Sequence, residues 1–316
     1  MGLILSKIAV VFSMAGIGLG ANKLGVLPTE SNKYLISLLL NIATPCLLIT
    51  SIAGKELTGD TVRVTVVTMT GAILFFLLAM IAGYGAAVVL KVPKEDRGVY
   101  ISIINMVNNG FMGFPITQAS FGDDALYLMV LCNIILCIWT YTAGFFQINI
   151  GTGGFDRHTL RRNLKSMVNP CAVASFLGIF LLFTQIRLPS FLFSLLESVG
   201  QISIPLSMIV VGVQLGQSNL RKVMVNRKLL TASLFKLIAV PAMTLLVVYW
   251  LPIPSMCKLV LTFSACFPSA VNMVAVASLE NRNATLASEG VALTTILSMV
   301  SLPIWIILLS ALFGMQ

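Results

Sequence analysis

From Gly98 to Gly122 the chain carries no charged residue, yet the centre of this apolar stretch reads Asn108-Asn109-Gly110-Phe111-Met112-Gly113-Phe114-Pro115. A helix crossing a bilayer there would be broken by two amides, two glycines and a proline. Lipid offers no hydrogen bonds to a broken backbone, so such a break persists only when buried in protein or lining a watery cavity. Its depth is readable. Arg97, the last charge before it, lies eleven residues from Asn108. That is roughly 16 Å of helix at about 1.5 Å per residue, half of a roughly 30 Å hydrocarbon core. An interruption at the bilayer midplane is the pattern of a transporter binding site rather than of a plain anchor.

The remainder of the chain fits this setting. With 58% hydrophobic residues, 10% charged residues and a mean hydropathy of +0.98, it cannot cover a water-facing surface. We expect an all-α integral membrane protein of ten spans, roughly 3–27, 31–53, 61–90, 97–121, 124–150, 168–186, 190–216, 227–250, 256–280 and 286–312. The opening segment is too long and too glycine-rich for a signal peptide and reads as the first span. The six cysteines lack CxxC spacing and read as small core residues, not a disulfide or zinc framework. The net charge of +9 is divided among short loops, so it reports topology, with no nucleic-acid partner expected. With the N-terminus outside, fourteen Lys and Arg residues fall on the inner side and five on the outer. Both termini are therefore expected outside a cell (plasma) membrane, with the basic loops cytoplasmic. The cluster Arg157, His158, Arg161, Arg162 and Lys165 is the strongest of these determinants.

A shift of 160 residues aligns the chain with itself. Asn41-Ile-Ala-Thr-Pro45 falls on Gln201-Ile-Ser-Ile-Pro205, Asn108 falls on Pro268 in Pro268-Ser-Ala-Val-Asn272, and Asp123-Asp-Ala-Leu126 falls on Asn283-Ala-Thr-Leu286. Each half then holds five spans, and five is odd, so the second copy has inverted topology. The expected organisation is a first five-helix repeat over 1–150, a basic cytoplasmic loop over 151–167 and an inverted second repeat over 168–316. The second break passes the depth test as well, because Pro268 lies ten residues beyond Lys258. Two helices broken at one depth can cross, and their half-helix N-termini, carrying free N–H groups and partial positive charge, suit a carboxylate or other small anion.

Several short motifs, in this order, resemble the auxin efflux carrier family, which includes the plant PIN-FORMED exporters and bacterial organic-acid permeases. They are Asn108 followed by Gly113-Phe114-Pro115, Asn32-Lys33-Tyr34 leading to Pro45, Asn169-Pro170 with Ser175 and Gly178, Met208-Ile-Val-Val-Gly212, and Lys236 before Pro241. The resemblance covers nearly the whole chain. It implies an NhaA-like fold with crossed broken helices 4 and 9. Spans 1, 2, 6 and 7 would form a scaffold, often a homodimer interface, and spans 3–5 and 8–10 a moving, elevator-like unit. Where the plant members carry a further proline after the Pro268 position, this chain has Asn272-Met273.

The residues assigned to substrate are Asn108, Asn109, Gly110, Gly113, Pro115, Pro268, Ser269, Asn272, Asn41 and Gln201. Asn108 stands first, because an amide donates to a carboxylate while remaining neutral in lipid. Asn41 and Gln201 either bond carbonyls freed by their prolines or face the site. Lys236, near mid-depth, is either a coupling charge or a structural partner for a helix end. Glu197, one helical turn before Gln201, is the best-placed acid for proton coupling. Gly16, Gly18 and Gly20 read as helix packing. No nucleophile–base pair, metal cluster or phosphate loop is present in the sequence, so neither an enzyme, a cofactor nor an ATP-driven pump is expected. The expectation is a secondary or facilitative carrier of a small organic anion working by alternating access. The alternatives are a sodium-coupled symporter of the bile-acid type and a ligand sensor on the same fold.

Overall fold

A computed structural model describes residues 2–151, 167–217, 223–224 and 226–314. The cluster Arg157, His158, Arg161, Arg162 and Lys165 and the pair Arg221 and Lys222 lie outside the described residues. The described chain is helical. In order, the helices are α1 (Gly2–Lys23), α2 (Ser31–Ala53), α3 (Gly59–Val89), α4 (Lys94–Asn105), α5 (Asn109–Tyr141), α6 (Ala143–Ile148), α7 (Pro170–Thr184), α8 (Ser190–Gln217), α9 (Arg227–Tyr249), α10 (Ser255–Cys266), α11 (Asn272–Leu279) and α12 (Ala284–Phe313). Six of them, α2, α3, α5, α8, α9 and α12, are long and apolar enough to cross a membrane. α7 and α10 are shorter apolar helices.

Proline explains the local irregularities. It lacks an N–H and its ring crowds the carbonyl four residues earlier, so a helix must widen or kink before it. Wide π-turns stand at Leu39–Ala43 before Pro45, at Asn109–Gly113 before Pro115 and at Phe235–Ala239 before Pro241. Within α5 the chain changes direction at Gly122 (φ 81°, ψ −171°), a backbone that L side chains rarely adopt. The expected boundary between spans 97–121 and 124–150 is therefore a glycine bend inside one long helix.

The chain divides into two compact units. The first comprises Met1–Thr68, Gly110–Ile134 and Val168–Gln217. Here helices approach closely where glycine removes a side chain. A Cβ on Gly18 would overlap the Ile209 carbonyl, and one on Gly212 would overlap the Ala15 carbonyl, so α1 and the second half of α8 touch backbone to backbone. Gly16 and Gly20 have nothing within 4 Å, so the close contact is made by the glycine between them. Lys23 Nζ closes this pair by donating to the Gly216 carbonyl at 2.8 Å. α2 packs likewise on α7, where a Cβ on Gly178 would come 3.1 Å from Ile52. α7 opens on Asn169, whose side chain accepts from the Ala172 N–H, with Pro170 in the first turn. Gly25 and Gln185, both left-handed just beyond α1 and α7, stand 160 residues apart.

The second unit comprises Met69–Asn109, Ile135–Met167 and Ser218–Gln316. Within it α4 and α10 are both twelve residues long, and both follow a proline of extended conformation, Pro93 and Pro254. Each stops abruptly in extended backbone, α4 at Met106 (φ −77°, ψ 126°) and α10 at Phe267 (φ −70°, ψ 150°). Neither segment 97–121 nor 256–280 is a continuous helix.

The close pairing of α1 and α8 predicts that Gly212→Val lowers the thermal unfolding midpoint of detergent-purified protein, an overpacking loss of about 1–3 kcal/mol. Gly16→Ala, with open space around it, is expected to leave the midpoint unchanged.

Candidate functional site

The two breaks meet. Val107 and Ser269 form an isolated antiparallel bridge. The Asn108 N–H donates to the Pro268 carbonyl at 2.8 Å, and the Ala270 N–H donates to the Met106 carbonyl at 3.2 Å. Each interruption thus supplies the backbone partners that the other lost, as backbone removed from water requires. The helical interruption itself lies at 106–108, immediately before the amide–glycine–proline segment. That segment forms the wide first turn of α5.

The side chains around the bridge are buried. Asn108 is 3% exposed and Asn109 fully buried. Asn109 Oδ1 accepts from Ser264 Oγ at 3.1 Å, while its Nδ2 has no hydrogen-bond partner among the described residues. An amide left so costs about 1–3 kcal/mol, which marks a donor awaiting an acceptor. Ser269 is used internally: its hydroxyl donates to the Ile103 carbonyl at 2.6 Å and its N–H to Thr294 Oγ1 at 3.1 Å. Pro268 lends its carbonyl to the bridge, and Asn272 stands exposed at the start of α11. Gly110, Gly113 and Pro115 follow in the first turns of α5.

Lys236 is fully buried in the wide turn before Pro241. Its Nζ lies 3.4 Å from the Ala265 carbonyl and 5.8 Å from the centre of the Phe75 ring. Ala265 is in the last turn of α10, where carbonyls have no helical partner and the helix dipole favours a cation. The other end of the repeat shows the reverse arrangement. Asn105, closing α4, donates from Nδ2 to the Phe76 carbonyl at 2.6 Å. Phe76 and Asn105 lie 160 residues before Lys236 and Ala265, so both pairs are spanned by one side chain-to-backbone bond. The Leu237 carbonyl, deprived of its donor by Pro241, is taken by Trp305 Nε1 at 2.9 Å. Neither Asn105, Ser264 nor Trp305 was among the residues the sequence singled out.

Gln201 and Glu197 belong to the first unit. With Leu47, Thr50, Lys55, Gln118 and Asp123 they line a cavity of about 210 Å³. Lys55 is ion-paired with Asp124, and Gln118 Nε2 donates to Asp123 at 2.8 Å. Asn41 is exposed on α2 and donates to the Ser37 carbonyl at 2.9 Å, one turn back in its own helix.

The whole-chain comparison decides the family. A family model described as "Membrane transport protein" matches residues 3–306. The chain belongs to this family, the auxin efflux carriers. Its similarity to an uncharacterized transporter of Methanocaldococcus jannaschii is 24% identity over 305 residues, covering 94% of this chain and 96% of that one. An uncharacterized transporter of Methanothermobacter thermautotrophicus is 27% identical over 295 residues, covering 90% of this chain and 92% of that one. The auxin efflux carrier member described here is a multi-pass membrane protein of a transporter family.

The bond to Leu237 makes a stability prediction. Trp305→Phe keeps the ring but leaves a buried carbonyl unpaired, so it is expected to destabilise the protein by about 1–3 kcal/mol. Trp250→Phe, at an exposed position, is the control and should not shift thermal unfolding in detergent.

Proposed function

We propose that this auxin efflux carrier member moves a small organic anion, a carboxylate, by alternating access around its two paired breaks. The observation that carries this reading is Asn109. Its buried amide N–H₂ lacks an acceptor at the start of a long helix, where free backbone N–H groups and a partial positive charge also favour an anion. Asn108, one residue before it, adds a second amide at the bridge. Phe111, Met112 and Phe114, all buried on the following turn, supply apolar surface for the body of the substrate.

The proposed architecture is ten spans in two inverted five-helix repeats, over 1–150 and 168–316, in the NhaA-like arrangement. Three pairs of features 160 residues apart support it: the left-handed Gly25 and Gln185, the twelve-residue half-helices α4 and α10 (offset by one residue), and the Phe76–Asn105 and Lys236–Ala265 bonds. In this reading Lys236 stabilises a half-helix end, and the cavity of Glu197 and Gln201 lies on the outer side. The orientation follows the charge count, with both termini outside the plasma membrane, and the working form is a homodimer.

The test is uptake of radiolabelled carboxylates into proteoliposomes, with and without a sodium gradient. Wild-type protein is expected to give saturable, sodium-independent uptake of at least one carboxylate. Asn108→Ala and Asn109→Ala are expected to fold and to reduce that uptake by about tenfold or more, as lost charge-assisted hydrogen bonds would. Sodium-dependent uptake would favour the bile-acid type of symport, and saturable binding without flux would favour a sensor.

A further inference from the structure

Hydroxyls inside the helices of this protein follow a common habit. Ser102, Ser175, Ser233, Thr262 and Thr294 each donate to the carbonyl four residues back in their own helix. Such bonds are the local default for Ser and Thr. Ser264 departs from it. Buried in the last turn of α10, it reaches Asn109 Oδ1, 155 residues away in sequence, at 3.1 Å. A hydroxyl that donates its proton to an amide oxygen fixes which way the amide faces. Asn109 Oδ1 is held toward Ser264, and both N–H bonds of Nδ2 are left without an acceptor among the described residues.

The equivalent position in the other half does not repeat this. Ser269 stands 160 residues after Asn109, and its hydroxyl and N–H are both engaged inside the protein. Ile104, which stands 160 residues before Ser264, has no hydroxyl to offer. The two breaks are alike in backbone and unlike in side chain. A free, oriented donor exists at the first break alone among these positions.

We propose that Ser264 is a positioning residue for the substrate, turning the Asn109 amide so that its N–H₂, and not its carbonyl, meets the carboxylate. This rests on the reading of the breaks as a carboxylate site. Without the Ser264 bond the amide is free to rotate by half a turn. Its carbonyl would then face the anion and repel it, while accepting a hydrogen bond from a neutral carboxamide. Ser264 thereby sets the preference for an acid over its own amide.

The experiment measures binding to purified protein by thermal shift and calorimetry. Succinate, butyrate and indole-3-acetate are screened, and the best-bound acid is compared with its primary carboxamide. Ser264→Ala is expected to unfold within a few degrees of the wild type, to weaken acid binding by about tenfold, and to lose most of the acid-over-amide preference. Ser264→Thr, which keeps the hydroxyl, should restore both. In an Asn109→Ala background, Ser264→Ala should have no further effect. If Ser264→Ala does not fold, Ser264→Cys, with its weaker donor, should show an intermediate loss of preference. Unchanged affinity and preference in folded Ser264→Ala would overturn the role. So would weaker binding with the acid preference intact, or an equal loss in the Asn109→Ala background. A wild type that binds none of the acids refutes the carboxylate reading itself, and is distinguishable from all of these.

Discussion

Two broken helices in an apolar chain are stable only if each repairs the other. The bonds from Asn108 to Pro268 and from Ala270 to Met106 do this, tying together backbone groups that neither helix nor solvent could satisfy. Everything around the bridge follows from that requirement. Tight glycine contacts such as those of Gly290 with Ile103 and Gly98 with Ile148 bring helices of the second unit within backbone distance. The ends of α4 and α10 are then finished by polar side chains, Asn105 and Lys236, each reaching a carbonyl on or beside the broken helices.

The pairing also creates an asymmetry with functional weight. At the second break Ser269 spends its polar atoms on Ile103 and Thr294, so it contributes rigidity. At the first break Asn109 is held by one end only. A rigid frame carrying one unfilled donor is what recognition of a small anion requires, because the ordering has been completed before the ligand arrives.

Much of this was legible in the sequence because lipid is an unforgiving solvent. The distances from Arg97 and Lys258 located both breaks near mid-depth, and a shift of 160 aligned them before any coordinates were considered. The prolines marked the irregular turns, although not that three of those turns would widen in the same way. What stayed hidden were long-range choices made by ordinary residues. Nothing local distinguishes Ser264 from the other helical serines, and only the fold shows that it abandons its own helix for Asn109. Asn105 was passed over beside the more conspicuous Asn108-Asn109. Trp305 gave no sign that it would serve Leu237, 68 residues away. Gly18, not the flanking glycines, makes the contact on α1, because the facing surface decides which member of the run is pressed.

The central claim is that the paired breaks, through Asn109, hold the transported anion. It is tested most directly by an experimental structure of the protein in the presence of a stabilising carboxylate. The predicted result is ligand density with a carboxylate oxygen about 3 Å from Asn109 Nδ2. Density confined to the cavity of Glu197 and Gln201, with the Asn109 amide still unpaired, would contradict it.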